Sequence, residues 1–194
     1  MNMSAKQIGM LPMICIIFLM IMTPSITVNA YVILGGSWSD SDVRDLDWRI
    51  KEGIDHYWII WDAVEGATAS WEDLVEIGWP VFNEVESGEK VYILDSYEEY
   101  GYLMRTLNYP NWTSTYNYSK IWVNEYWFDE AYYDGEIHVQ AVMAHELGHT
   151  LGLGHETYYG PQVLMYPTDA FYWECGIHGP TWDEHDGLYA IYDD

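Results

Sequence analysis

Leu46, Trp48 and Ile50 alternate with Asp47, Arg49 and Lys51, and a period of two places the apolar set on one side of a half-buried strand. Val91 to Leu94 and the aromatic and branched stretch Ile121 to Phe128 predict two more strands. Between the first two, Ser70-Trp71-Glu72-Asp73 has capping-box spacing, and Leu74, Val75, Gly78, Phe82 and Val85 follow at helical intervals. That pattern predicts a helix from about Ser70, which Pro80 kinks or ends early. A second helix is predicted from about His138 to Leu151, because Val139, Val142 and Met143 run on without a breaker and Gly152 can stop it. A third starts at Thr181, whose side chain can cap while Glu184 reaches back to it, and it carries Leu188, Ile191 and Tyr192. Strands and helices mixed in this order indicate an α+β or three-layer α/β domain.

One stretch stands outside that alternation. Lys6 precedes an uncharged apolar run from Ile8 to Met22, and Val28-Asn29-Ala30 offers a small-residue cleavage site. Residues 1–30 are therefore expected to be a signal peptide with Tyr31 near the mature start, leaving 31–194 as one secreted domain. The alternative is a retained signal anchor, because the run is near the lower length limit for spanning; only then would the protein sit on a membrane. The rest contains no Pro/Gly/Ser-rich linker and no repeat, only short turn signals, which supports a single compact unit, and the protein is expected to be a monomer.

Composition narrows the partners. At 194 residues and 49% hydrophobic, the chain can bury one core and is too short for two ordinary domains. A net charge of -24 with only 7 Lys and Arg excludes a nucleic-acid groove, since phosphate binding needs cations. The same charge is read first as a solvated, self-repelling surface and second as a cation sink. Of the two cysteines, Cys15 falls in the leader and Cys175 is left as a single thiol, expected to fill a buried small apolar position without a disulfide. The sequons at Asn111 and Asn117 fit an exported surface loop.

Chemistry concentrates at His145-Glu146-Leu147-Gly148-His149. Two imidazoles four residues apart on a helix lie on one face, one turn apart, where both can bind a single Zn²⁺. Gly152 can adopt a positive φ and turn the backbone so that His155 supplies a third nitrogen. Three protein ligands leave a fourth position for water, an arrangement of catalytic zinc, whereas structural sites are usually closed by four. The whole pattern should arise by chance in about one in a hundred thousand chains of this length. His56, His138, His178 and His185 show no comparable spacing, although His138 at a helix start and His178 near the cleft are placed to touch a second ion or substrate.

The extended motif resembles the metzincin metallopeptidases. Ten residues after His155, Met165 in Val163-Leu164-Met165-Tyr166-Pro167 is similar to the Met-turn that supports the zinc site in that clan, and its wording resembles the matrixin branch. Tyr31, Trp38 and Leu46 to Ile50 resemble the opening segment and first strand of a matrixin catalytic domain. Ile121 to Trp127 is similar to the strand before its zinc helix, and Asp186-Gly187-Leu188 with Ile191-Tyr192 to its closing helix. Glu156 departs from the matrixin pattern, where Ser usually follows the third histidine, and agrees with the astacin branch. Pro167 departs from astacins, which carry Tyr there. The resemblance implies a zincin-type α+β (α/β/α-like) domain: a twisted mixed sheet, a zinc-binding active-site helix, a Met-turn and a C-terminal helix. It also implies that Tyr166 to Gly179 walls a primed-side substrate pocket, with Tyr166, Phe171, Tyr172 and Trp173 as lining candidates. No segment resembles the His/Asp-rich one that holds structural zinc in animal matrixins, so one catalytic Zn²⁺ is expected. Ca²⁺ is a candidate at acidic loops such as Asp129, Glu130 and Asp134.

The activity expected is hydrolysis of protein or peptide substrates. Zinc lowers the pKa of its water, and Glu146 takes the proton and later passes it to the leaving amine. The substrate strand is expected against an exposed sheet edge before Ile121. Two rivals remain: a catalytically weak, zinc-containing surface binding protein on the same scaffold, which would have no need of Glu146, and a metal-sequestering acidic protein, which would spread its ligands along the chain.

Overall fold

A computed structural model of the chain describes residues 31–74, 80–110 and 114–193. The expected leader 1–30, the helix positions Val75 and Gly78, and the sequon at 111–113 lie outside the described residues. In chain order the elements are β1 (Val32–Ile33), α1 (Asp40–Val43), β2 (Leu46–Ile50), α2 (Tyr57–Leu74), β3 (Phe82–Glu84), β4 (Val91–Ser96), β5 (Met104–Tyr109), β6 (Tyr118–Asn124), α3 (Tyr126–Asp129), α4 (Glu136–Thr150), β7 (Leu153–Gly154), a 3-10 turn at Gly160–Gln162, α5 (Ala170–Cys175) and α6 (Trp182–Tyr192). Among the described residues, no helix is long and apolar enough to cross a membrane.

Five strands form one mixed sheet in the order β3-β2-β4-β6-β5. The first four run parallel, and β5 closes one edge antiparallel to β6, with Thr106 opposite Ile121. The alternation seen in the sequence decides which face turns inward. Trp48 and Ile50 on β2, Val91 and Ile93 on β4, and Ile121 and Val123 on β6 are buried and aligned by the register of the strands. Helices α2 and α4 pack on each other, and α4 packs on β5 and β6. The outward positions Arg49, Tyr92, Lys120 and Trp122 are only partly covered. The result is the α+β arrangement with a mixed sheet that the sequence led us to expect.

Several boundaries differ from expectation. Helix α2 begins at Tyr57, so Ser70 sits inside it and donates its hydroxyl to the Ala67 carbonyl instead of capping. Its inward stripe is Ile60, Ala63, Val64, Ala67 and Trp71, spacing that the sequence reading started too late to catch. Phe82, expected on that helix, begins β3. The strand expected over 121–128 ends at Asn124, and the aromatic run beyond it turns into the short helix α3. Helices α4 and α6 lie where expected. Thr181 caps α6, with Glu184 completing the capping box, a device that contributes about 1 kcal/mol to a helix end.

The C-terminal end of α4 is tied to both ends of the domain. Trp38 Nε1 donates to the Thr150 carbonyl at 2.9 Å, and the Tyr192 hydroxyl donates to the Leu151 carbonyl at 2.8 Å. The same hydroxyl accepts from the Trp38 backbone N–H. These side chains satisfy carbonyls that a helix end leaves without partners, and they fix the exit of the helix that carries the histidines.

Candidate metal centre and cleft

His145 and His149 project from one face of α4, and the chain then reverses at Gly152. Its φ of 100° lies in the left-handed region, and an added Cβ would meet the Gly36 carbonyl at 2.8 Å. That turn brings His155 back beside the helix. One ligand atom from each of His145, His149 and His155 lies within 4.8 Å of the others, with the Nε2 atoms of His149 and His155 3.1 Å apart. The backbone sets the tautomers. His145 Nδ1 donates to the Leu164 carbonyl at 2.7 Å and His149 Nδ1 to the Leu153 carbonyl at 2.8 Å, so each Nε2 presents a lone pair. Burial, and then the neighbouring imidazoles, hold His145 well below the usual histidine range despite its bond to Leu164. Burial also lowers His149, and burial with His149 nearby lowers His155 to about 4. All three therefore stay unprotonated at neutral pH, as metal ligands must.

Glu146, between the first two histidines, is almost fully buried. Burial pushes its carboxyl up to about 7, against the opposing pull of the Thr106 hydrogen bonds and the Arg105 charge. Thr106 Oγ1 lies 2.6 Å from Glu146 Oε2 and 3.0 Å from the Glu146 carbonyl oxygen. Two residues on, Asn108 donates to the His149 carbonyl at 2.7 Å and accepts from Ser119 at 2.6 Å. Thr106 and Asn108 therefore fasten the edge strand β5 to the helix directly at the histidine segment.

Behind the histidines lies Met165, buried against Gly148 and Trp71. A Cβ on Gly148 would overlap the Met165 sulfur and lie 3.1 Å from the Trp71 ring, so glycine is required for the turn and helix to approach this closely. Trp71 Nε1 donates to the Ala144 carbonyl at 2.9 Å. Glu184 Oε1 accepts from the Met165 N–H at 2.9 Å while Oε2 accepts from the Thr181 N–H and hydroxyl, which joins the methionine turn to α6. The Met165 carbonyl accepts from the Glu156 N–H at 2.8 Å. The Glu156 carboxylate is buried and accepts from the Tyr158 N–H.

A cleft runs along this face, lined by the three histidines, Glu146, β5 from Met104 to Asn108, and the segment Tyr166 to Asp169 with Phe171. Tyr166 and Phe171 thus stand on the cleft wall, and the Phe171 ring stacks on His145 at 5.6 Å between centroids. Tyr172 and Trp173 pack instead around His138, and they are not among the cleft-lining residues. His138 is fully buried and bonds Asp169. His56 pairs with Glu125 at 2.7 Å, His178 stacks obliquely on Tyr172 and His185 neighbours Asp186 and Tyr189. Cys175 is exposed rather than buried, because it ends α5 just before a left-handed Gly176. The acids considered for calcium do not assemble into a cluster of side-chain donors: among the described residues, the only such cluster is the histidine triad. The sequence reading missed Thr106, Asn108, Gly148, Asp169 and Glu184 as parts of the site. Thr106 and Asn108 share a face with Met104 but are polar, so no hydrophobic alternation marked their strand in the sequence.

The donor set fits zinc. Tetrahedral nitrogen ligands at about 2.0–2.1 Å from a metal lie roughly 3.3 Å apart, close to the observed separation of the His149 and His155 nitrogens. A family profile described as Matrixin matches residues 61–193. Human matrix metalloproteinase-20 is 47% identical over 51 residues, which cover 26% of this chain and 10% of that protein. The chain thus matches about a tenth of that relative's length. The GM1-bound form of the ECX AB5 holotoxin superposes with a TM-score of 0.55 at 13% identity, covering 84% of this chain and 85% of that one, a likeness of fold alone.

Proposed function

The chain belongs to the matrixin family of peptidases, and from that membership we propose that it is a secreted zinc-dependent endopeptidase in which Glu146 is the general base. The observation that carries this reading is the convergence of three unprotonated imidazoles beside a buried carboxylate in an open cleft. His145, His149 and His155 would hold the metal. Bound there, zinc supplies Lewis acidity that makes water acidic at neutral pH and polarises a carbonyl.

The chain's own groups do the rest. The Thr106 hydroxyl orients one oxygen of Glu146, and the carboxyl is poised to accept a proton from water and return it to the leaving amine. The edge strand β5 has one side unpaired in the sheet order and contributes the cleft wall. An extended peptide laid along it gains main-chain hydrogen bonds, a mode that suits protein substrates. Export rests on the expected leader at residues 1–30, and the mature start near Tyr31 is checked by N-terminal analysis of exported protein.

The decisive experiment removes the base and a ligand separately. Glu146→Ala should keep zinc near wild-type occupancy while hydrolysis of an unstructured protein falls by about 10²-fold to 10⁴-fold. His149→Ala should lose zinc under mild chelation, and activity with it. Wild-type rates in Glu146→Ala would reject the base. A zinc-loaded wild type without turnover would replace the peptidase with a zinc-containing binding protein.

A further inference from the structure

The helix that carries the histidines also carries one member of a His138–Asp169 pair that the reaction does not use. His138, Val142, His145, Glu146 and His149 follow the three-and-four spacing of one helix face. His138 is fully buried, and its Nδ1 accepts from the Asp134 N–H at 3.2 Å. On the other side of the ring, Nε2 lies 3.1 Å from Asp169 Oδ2 and donates to it. Asp169 Oδ2 also accepts from the Tyr132 hydroxyl and from Trp173 Nε1, each at 2.9 Å. None of the three bonds uses Oδ1. Asp169, Val142 and Phe171 line the same cleft as Glu146 and the histidines.

Three donors hold this carboxylate in place through a single oxygen. Burial alone would raise the Asp169 pKa, but the bonds from His138, Trp173 and Tyr132, with the charge interaction of His138, outweigh it and keep the group below its usual range. Arg105, the one Lys or Arg among the residues lining the cleft, has its guanidinium over the rings of Tyr102 and Trp122. Reach is the next constraint. His138 is seven to eight residues from His145 and Glu146, about 10–12 Å along the helix. An extended lysine side chain spans about 6 Å from Cα to Nζ, its Cα lies a further ~2.5 Å from the reacting carbonyl, and a charge-assisted hydrogen bond adds about 2.8 Å. A long cationic side chain is of the same order as this helix interval, and Val142 and Phe171 give its methylenes an apolar wall in the cleft.

Resting on the hydrolytic reading above, we propose that Asp169 is a specificity residue which selects substrates with lysine or arginine next to the scissile bond, Oδ1 receiving the cation. The net charge of -24 favours the approach of such basic peptides.

The test uses the full zinc-loaded protein and paired peptides that differ only in lysine against norleucine, placed on either side of one scissile bond, with products identified by mass. Wild type should prefer one lysine peptide by about tenfold or more in kcat/KM, and Asp169→Asn with normal zinc content should bring that ratio near one. A second readout needs no turnover: the inactive Glu146→Ala protein should bind the lysine peptide several-fold tighter than its norleucine twin, and Glu146→Ala/Asp169→Asn should bind them alike. If the asparagine variant does not fold, the wild-type preference measured at low and at about 1 M salt reads the same charge contact, and it should shrink with salt. Zinc-dependent cleavage with equal or better use of norleucine, or a lysine preference that survives Asp169→Asn, overturns the proposal. Absence of any hydrolysis would instead overturn the peptidase reading, and the binding comparison would still decide the role of Asp169.

Discussion

Asp183 stands in the first turn of α6 within the field of other carboxylates. Burial first, and then Glu184, Glu156 and Asp186, push its pKa up to about 6. A carboxyl whose folded pKa lies above its unfolded one binds more protons in the folded state, so its contribution to stability declines as pH rises through the window from about 4 to 6. The penalty then persists at neutral pH, moderated because the side chain is partly solvated. Asp183→Asn should therefore raise the thermal midpoint at pH 7–8, and the advantage should fade towards pH 4. Unfolding curves of both proteins at four pH values decide it; a gain that grows on acidification would refute the repulsion. At this scale the sequence showed the three histidines and Glu146 because His145 and His149 recur at helix spacing and Gly152 allows the turn that returns His155. It showed Glu184 and Asp186 beside Asp183 on one helix, but hid the burial of Asp183 and the approach of Glu156, which exist only in the fold.

Helix α4 and the methionine turn are set apart by the width of a glycine. Gly148→Ala would drive a methyl group into the Met165 sulfur, with the Trp71 ring behind it, and overpacking of this kind costs about 1–3 kcal/mol. The expected result is a lower thermal midpoint together with weaker zinc retention in a chelator titration, because the Leu164 carbonyl that orients His145 moves with the turn. Unchanged zinc affinity would show that the turn does not position the ligand. Legibility at the element scale follows from what each element buries. Helix α6 was readable because its cap is a local pair, Thr181 and Glu184, and β2 because its inward residues are all apolar. Strand β5 was not, since its inward positions after Met104 are Thr106 and Asn108, which hydrogen-bond to α4 and leave no hydrophobic alternation. The start of α2 was obscured by the capping-like residues at 70–73, whose local signal the tertiary packing of Trp71 overrides.

Across the whole molecule, 31 acidic side chains face 7 basic ones, and self-repulsion of that size weakens the compact state. Added salt shortens the range of the repulsion, to about 3 Å at 1 M. The thermal midpoint should therefore climb between 0.05 and 1 M sodium chloride, and a flat or falling profile would mean that the charges are already neutralised by pairing or bound cations. Chain order adds a constraint of another kind. The carbonyls that end the histidine helix receive their donors from position 38 and from position 192, far apart in sequence. During synthesis the helix, the Met-turn and all three histidines leave the ribosome before Tyr192 does. A nascent chain can thus contain all three histidines while the exit of their helix still lacks the donor from Tyr192, so the geometry of the triad is completed only when that residue docks.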